Sequence, residues 1–115
     1  RDISHLVKIE YGGFRLDHAT GELVQRVRLR NVSQSRVTGK LALLIKGLSP
    51  EARVANGDRG LRDTALERNP ASNAAAVPVI RKDISPGGTT DVIIRFSNPS
   101  HQPIRYQAFV YQVTP

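Results

Sequence analysis

The sequence predicts an all-β protein, an antiparallel two-sheet sandwich of about seven to nine short strands. Short runs rich in Val, Ile, Leu and Phe alternate with polar residues at a period of two, as half-buried strands do. Turn signals built on Gly, Pro and Asn separate these runs at intervals of about eight to twelve residues. The stretch 85–100 holds the pattern in miniature: Pro86-Gly87-Gly88 forms a turn, Val92 to Phe96 a β-branched run too short for a helix, and Asn98-Pro99 a stop.

Taken in order, residues 5–10 alternate as one strand, Tyr11-Gly12-Gly13 breaks it, and Phe14-Arg15-Leu16 resumes. Residues 17–22 read as a hairpin loop in which Gly21 is free to turn left-handed. Residues 23–32 are the clearest strand: Leu23, Gln25, Val27, Leu29 and Asn31 share one face, and Arg26, Arg28 and Arg30 share the other. After a polar turn over 31–35, residues 37–46 form a more apolar strand, expected nearer a sheet centre, which Gly47-Leu48-Ser49-Pro50 ends. Residues 52–55 suggest a short strand closed by Asn56-Gly57-Asp58. Residues 58–76 form one long loop, in which 61–68 has the length of about two helical turns. Residues 77–81 resume extended structure, with Pro78 suited to an edge or a strand start. Residues 92–96 and 104–113 form the last pair.

The 115 residues are expected to form a single domain, long enough to bury a core without staples. Aromatic residues make up only 5%, so aliphatic side chains must fill the interior, with Val27, Leu29, Leu43, Ile45 and Ile94 turned inward. The chain has no cysteine, which excludes disulfides and thiolate metal sites but leaves the compartment open. No apolar run approaches about 18 residues, so no membrane span is expected. No signal peptide is visible and the chain opens on Arg1 rather than Met, which reads as a mature or excised piece of something longer. The 17 Lys and Arg against 10 Asp and Glu give a net charge of +7, which attracts anionic surfaces without specifying a fold.

In these segments the chain resembles the immunoglobulin-like or fibronectin-III-like sandwich modules of bacterial secreted and surface proteins. The matching pieces are Leu16-Asp17-His18-Ala19-Thr20-Gly21 leading into Val24 to Ser33, then Gly39 to Ser49, Asn56-Gly57, Ile84-Ser85-Pro86-Gly87, and Phe96-Ser97-Asn98-Pro99-Ser100 followed by Ile104-Arg105-Tyr106. The resemblance implies an Ig-like β-sandwich, export or a cell-surface or periplasmic location, attachment to a larger protein, and no chemistry of its own. It also implies a corner role for Tyr106, whose hydroxyl is expected to find a backbone partner. Asn31, at a strand end, is suited to bond local backbone at the sandwich rim.

Arg26, Arg28 and Arg30 are candidates for an anion-binding patch, with Lys46, Arg81, Arg95 or Arg105 as possible neighbours. The plainer and preferred reading is a solvated sheet face whose like charges are relieved by acids such as Glu10 and Glu22, because exposed charge is ordinary on half-buried strands. His5, His18 and His101 are scattered and form no metal-ligand motif, and the aspartates fall at turns where they cap backbone. No nucleophile elbow appears. No catalytic, cofactor-binding or metal residues are therefore assigned. The sequence reads as a non-catalytic module that presents rim loops or an edge strand to a protein partner or to its own parent chain, with Arg59, Arg62 and Arg68 of the long loop as partner-binding candidates. The first alternative is a binding module for an anionic polymer (acidic glycan, lipopolysaccharide or nucleic acid) using the three-arginine face. The second is a carbohydrate-binding module using Tyr11 and Tyr111.

Overall fold

The computed structural model of the chain describes residues 1–49, 51–58, 74–79, 83–98 and 103–113. Within them lie nine strands and one 3-10 turn at Ser4–Leu6. The strands are β1 (Val7–Leu16), β2 (Leu23–Asn31), β3 (Val37–Thr38), β4 (Lys40–Lys46), β5 (Arg53–Val54), β6 (Ala75–Val79), β7 (Asp83–Ile84), β8 (Thr89–Ser97) and β9 (Gln107–Val113). A four-stranded sheet runs β1-β2-β8-β5, a three-stranded sheet runs β6-β4-β9, and β3 pairs with β7. All pairings are antiparallel.

The period-two pattern decides which side chains go inside. In β2, Val27 and Leu29 are fully buried, while Arg26 and Arg28 stand in solvent. Leu43 and Ile45 of β4 and Ile94 of β8 are likewise fully buried, so all five residues expected inside form part of one core, together with Leu41, Phe96 and Val110. β4 lies between β6 and β9, at the sheet centre that its composition suggests. It is buried on both faces: Ala42 and Leu44 join Ala76 in a second apolar cluster against which Phe109 and Tyr111 pack.

β6 begins at Ala75, inside the loop expected over 58–76; β7 is an added strand, β8 is longer than expected over 92–96, and β9 begins at Gln107 rather than 104. Three further differences each have a local reason. Tyr11-Gly12-Gly13 does not break the first strand. β1 runs through it with a bulge, Tyr11 facing Val27 and Phe14 facing Gln25, so that Gly12 and Gly13 oppose Arg26 alone. A Cβ on Gly12 would lie 2.6 Å from the Arg26 carbonyl oxygen, which is why glycine stands there. The run 37–46 is two strands, because Gly39 at φ 90° turns the chain from its pairing with β7 into the three-stranded sheet. The short strand expected over 52–55 is the two-residue β5, which the Asn56 side chain extends: its amide donates to the Ile93 carbonyl and accepts from the Arg95 N–H.

The N-terminal residues tie the two sheets together. The Ile3 N–H bonds the Val110 carbonyl at 2.8 Å, and the Gln112 N–H bonds the Arg1 carbonyl at 2.7 Å, so the first three residues lie along β9. The 3-10 turn then carries the chain across to β1 in the other sheet, and the Val110 N–H donates to the Ser4 hydroxyl at the crossing.

Candidate functional site

The three arginines of β2 do share the outer face of the four-stranded sheet, and that face is more neutral than their row suggests. Register places Arg28 between Glu10 of β1 and Asp91 of β8. Asp91 lies 3.2 Å from Arg28 and 3.9 Å from Arg26, and Glu10 lies 3.5 Å from Arg30. Glu10 is thus one of the relieving acids, as expected. Glu22 is not: it pairs with Arg95 at 2.8 Å, and Asp91 takes the place assigned to it. Such exposed pairs contribute little to stability individually, but they lower the patch's attraction for a polyanion.

Of the cations proposed as neighbours, Arg95 lies on the same face at the far end of β8, held by Asp17 and Glu22. The hydrogen bond and charge of Arg95 hold the Asp17 carboxyl below its ordinary range. Lys46 belongs to the other sheet, with its ammonium 5.4 Å from the centre of the Phe109 ring. Arg105 precedes β9, and its backbone bonds Ser49. Arg81 lies outside the described residues, as do Arg59, Arg62 and Arg68. His5 sits in the 3-10 turn and His18 in the 17–22 loop, and His101 is outside the described residues.

The aromatic residues are organised around Tyr106. Its ring packs on fully buried Phe96 at 5.5 Å and edge-on against Tyr11 at 5.8 Å, and Phe14 meets Phe96 edge-on at 5.8 Å. The Tyr106 hydroxyl does not find the backbone partner expected of it. It donates to the side-chain oxygen of buried Gln25, whose amide in turn donates to the Gly12 carbonyl at 2.8 Å. Burial pushes the Tyr106 hydroxyl well above its ordinary pKa, so it stays protonated and donates. Tyr11 and Tyr111 make no shared platform for a sugar ring. Tyr11 leans on Tyr106 at the edge of one sheet, while Tyr111 packs on the second apolar cluster of the other.

The sequence pattern names Tyr11 of β1 as a candidate but not Phe14 or Leu16 beside it. Tyr11, Phe14 and Leu16 are 53%, 44% and 46% exposed, the largest apolar exposure on any strand described, and they line the edge of the four-stranded sheet. Beside Phe14 and Leu16 a groove of about 390 Å³ continues over Leu23, Pro103 and Ile104. The available signal was the spacing of Tyr11 and Phe14 across two glycines, which keeps both rings on one side only if the glycines form a bulge.

Among the described residues no group of His, Asp and Glu is arranged to hold a metal ion, and no helix is long and apolar enough to cross a membrane. Comparison with family models, with curated proteins and with solved structures finds no match to this chain.

Proposed function

We propose that this chain is a non-catalytic interaction module of an exported or cell-surface bacterial protein, an Ig-like sandwich that presents the edge strand β1 to a protein partner. The observation that carries the reading is the state of the sheet edges. β9 is flanked by residues 1–3, β6 carries Pro78 as the fourth of its five residues, and β5 is two residues long. β1 is ten residues long, pairs only with β2 among the described residues, and exposes Tyr11, Phe14 and Leu16. A long edge strand with exposed apolar side chains is a template for another chain. Arginine-rich charge keeps the module in solution until the partner arrives.

The test is photo-crosslinking within the full-length parent protein in its own cell. A benzophenone side chain at Phe14 is expected to give a discrete protein adduct that the same group at exposed Val32 does not. Equal labelling from the two positions, or none from position 14, overturns the reading.

The anionic-polymer reading is supported by the alignment of Arg26, Arg28 and Arg30, of which Arg26 has a 66% exposed side chain. Heparin and DNA affinity at low salt separates it from the first. If Arg26→Glu with Arg28→Glu leaves that affinity unchanged, the arginine face binds no polyanion.

A further inference from the structure

We propose that the open side of β1 takes up an extended segment of the partner whose side chains alternate apolar and acidic, as a fifth strand of the four-stranded sheet. The proposal rests on the edge-strand reading above and specifies the partner's chemistry.

Register decides what β1 offers. The Val32 N–H donates to the Leu6 carbonyl at 3.0 Å, and antiparallel bonding alternates, so Lys8 and Glu10 turn their backbone groups to β2. Ile9 and Tyr11 turn theirs to the open side, while the Val7 N–H is taken by the Ser4 carbonyl at the end of the 3-10 turn. At the other end the Asp17 N–H donates to the Glu22 carbonyl at 2.8 Å, which turns Arg15 to β2 and Phe14 and Leu16 outward. The bulge therefore shifts the phase by one residue and preserves the rule across it. Among the described residues, Ile9, Tyr11, Phe14 and Leu16 have no backbone partner on that side, and each is apolar with its side chain on the core side of the sheet.

The opposite face of the same strand supplies the charge. Lys8 and Arg15 are exposed, and among the described residues neither has an acid within salt-bridge distance. Glu10, the one acid between them, is engaged by Arg30. An added strand meets Tyr11, Phe14 and Leu16 with one set of alternate side chains and Lys8 and Arg15 with the other. Apolar residues complement the first set and carboxylates the second. The groove beside Phe14 and Leu16 has room for one large apolar side chain at the end of the segment. A second copy of this chain fits less well, because each copy carries +7 and would bring its own cations to the pair.

The experiment titrates the isotope-labelled chain with three synthetic peptides of about eight residues, a length matched to a strand. One alternates valine and glutamate, one alternates valine and lysine, and one shuffles the first composition so that alternation is lost. The glutamate peptide is expected to bind about tenfold or more tighter than either other. It should also slow hydrogen exchange at the Ile9 and Tyr11 amides. Lys8→Glu with Arg15→Glu should reverse the preference toward the lysine peptide, a gain that a misfolded variant would not show. Equal affinity for all three peptides, or protection confined to other strands, overturns the proposal. So does sedimentation of the free chain as a dimer with those amides already protected. A position-14 crosslink in the cell without peptide discrimination sinks the acidic partner and leaves the edge-strand reading standing, whereas loss of the crosslink removes both.

Discussion

The hydroxyl of Tyr106 and the side chain of Gln25 meet inside the sandwich, 81 positions apart in the chain, and the same glutamine holds the Gly12 carbonyl. One polar side chain thus fixes the bulge of β1 and the approach to β9 together. Because Gln25 is only 4% exposed, its oxygen has little access to water when the tyrosine is lost. Tyr106→Phe should therefore cost about 1–3 kcal/mol in urea unfolding, the penalty of an unsatisfied buried acceptor. Gln25→Leu with Tyr106→Phe should cost less than the sum of the two single changes by about 0.5 kcal/mol or more. Strict additivity would show that the pair does not act as a unit.

The bulge makes a second contrast available between adjacent glycines. A methyl group on Gly12 meets the Arg26 carbonyl at 2.6 Å, whereas one on Gly13 meets nothing within 4 Å. Gly12→Ala should destabilise by about 1–3 kcal/mol through overpacking against backbone, and Gly13→Ala should stay within about 0.5 kcal/mol of the parent. Equal melting temperatures for the two variants would mean that β1 does not bulge toward Arg26.

Period-two alternation made β2, β8 and the core readable from the chain, because burial of one face leaves a mark at every second residue. β1 was misread because a bulge and a strand break look alike in Gly-Gly. Only pairing with β2, which brings Arg26 against Gly12, distinguishes them. The partners of the charged residues were hidden for the same reason. Glu22 is close to the β2 arginines in sequence, yet its carboxylate reaches Arg95 of β8 across the hairpin. Asp91, which sits between Arg26 and Arg28, becomes their neighbour only through the register of β2 with β8. Asn31 was partly legible: its bonds to Ser33 and Ser35 are local, but its bond to Ile84 joins segments 53 residues apart. The importance of β1 as an edge emerges only from sheet order.

Asn31 is fully buried and uses its whole side chain. Its amide nitrogen donates to the Ser35 and Ile84 carbonyls, both at 2.8 Å, and its oxygen accepts from the Ser33 N–H at 2.9 Å and the Ser33 hydroxyl at 2.6 Å. Asn31→Ala should cost about 3 kcal/mol or more, since a cavity is added to several orphaned groups. Asn31→Asp should be at least as damaging at neutral pH, because it keeps the acceptor and turns a carboxylate toward two carbonyl oxygens. Ser33→Ala, which removes the hydroxyl's contacts with Asn31 and with the Ser35 carbonyl and N–H, should cost about 1 kcal/mol. Chemical unfolding of the three variants checks the order, and a benign Asn31→Asp would overturn the assignment of donors.

Asp17 gives the fold an acid-sensitive contact. Its carboxyl is held below the ordinary range chiefly by the hydrogen bond from Arg95, with the Ala19 N–H as a second donor at 3.0 Å. A carboxylate with a folded-state pKa below its unfolded value of about 3.9 stabilises the fold above that value. The contribution is lost as pH falls through the lower, folded-state pKa. The difference in urea midpoint between the parent chain and Asp17→Asn should therefore be constant from about pH 7 to about pH 5, and should shrink below about pH 4. Arg95→Gln should shrink the same difference above about pH 5, because the principal donor is gone and the Ala19 N–H remains. If the gap between parent and Asp17→Asn widened with acid, the sign of the linkage would be wrong and Asp17 would not be an ion-pair partner of Arg95 in solution.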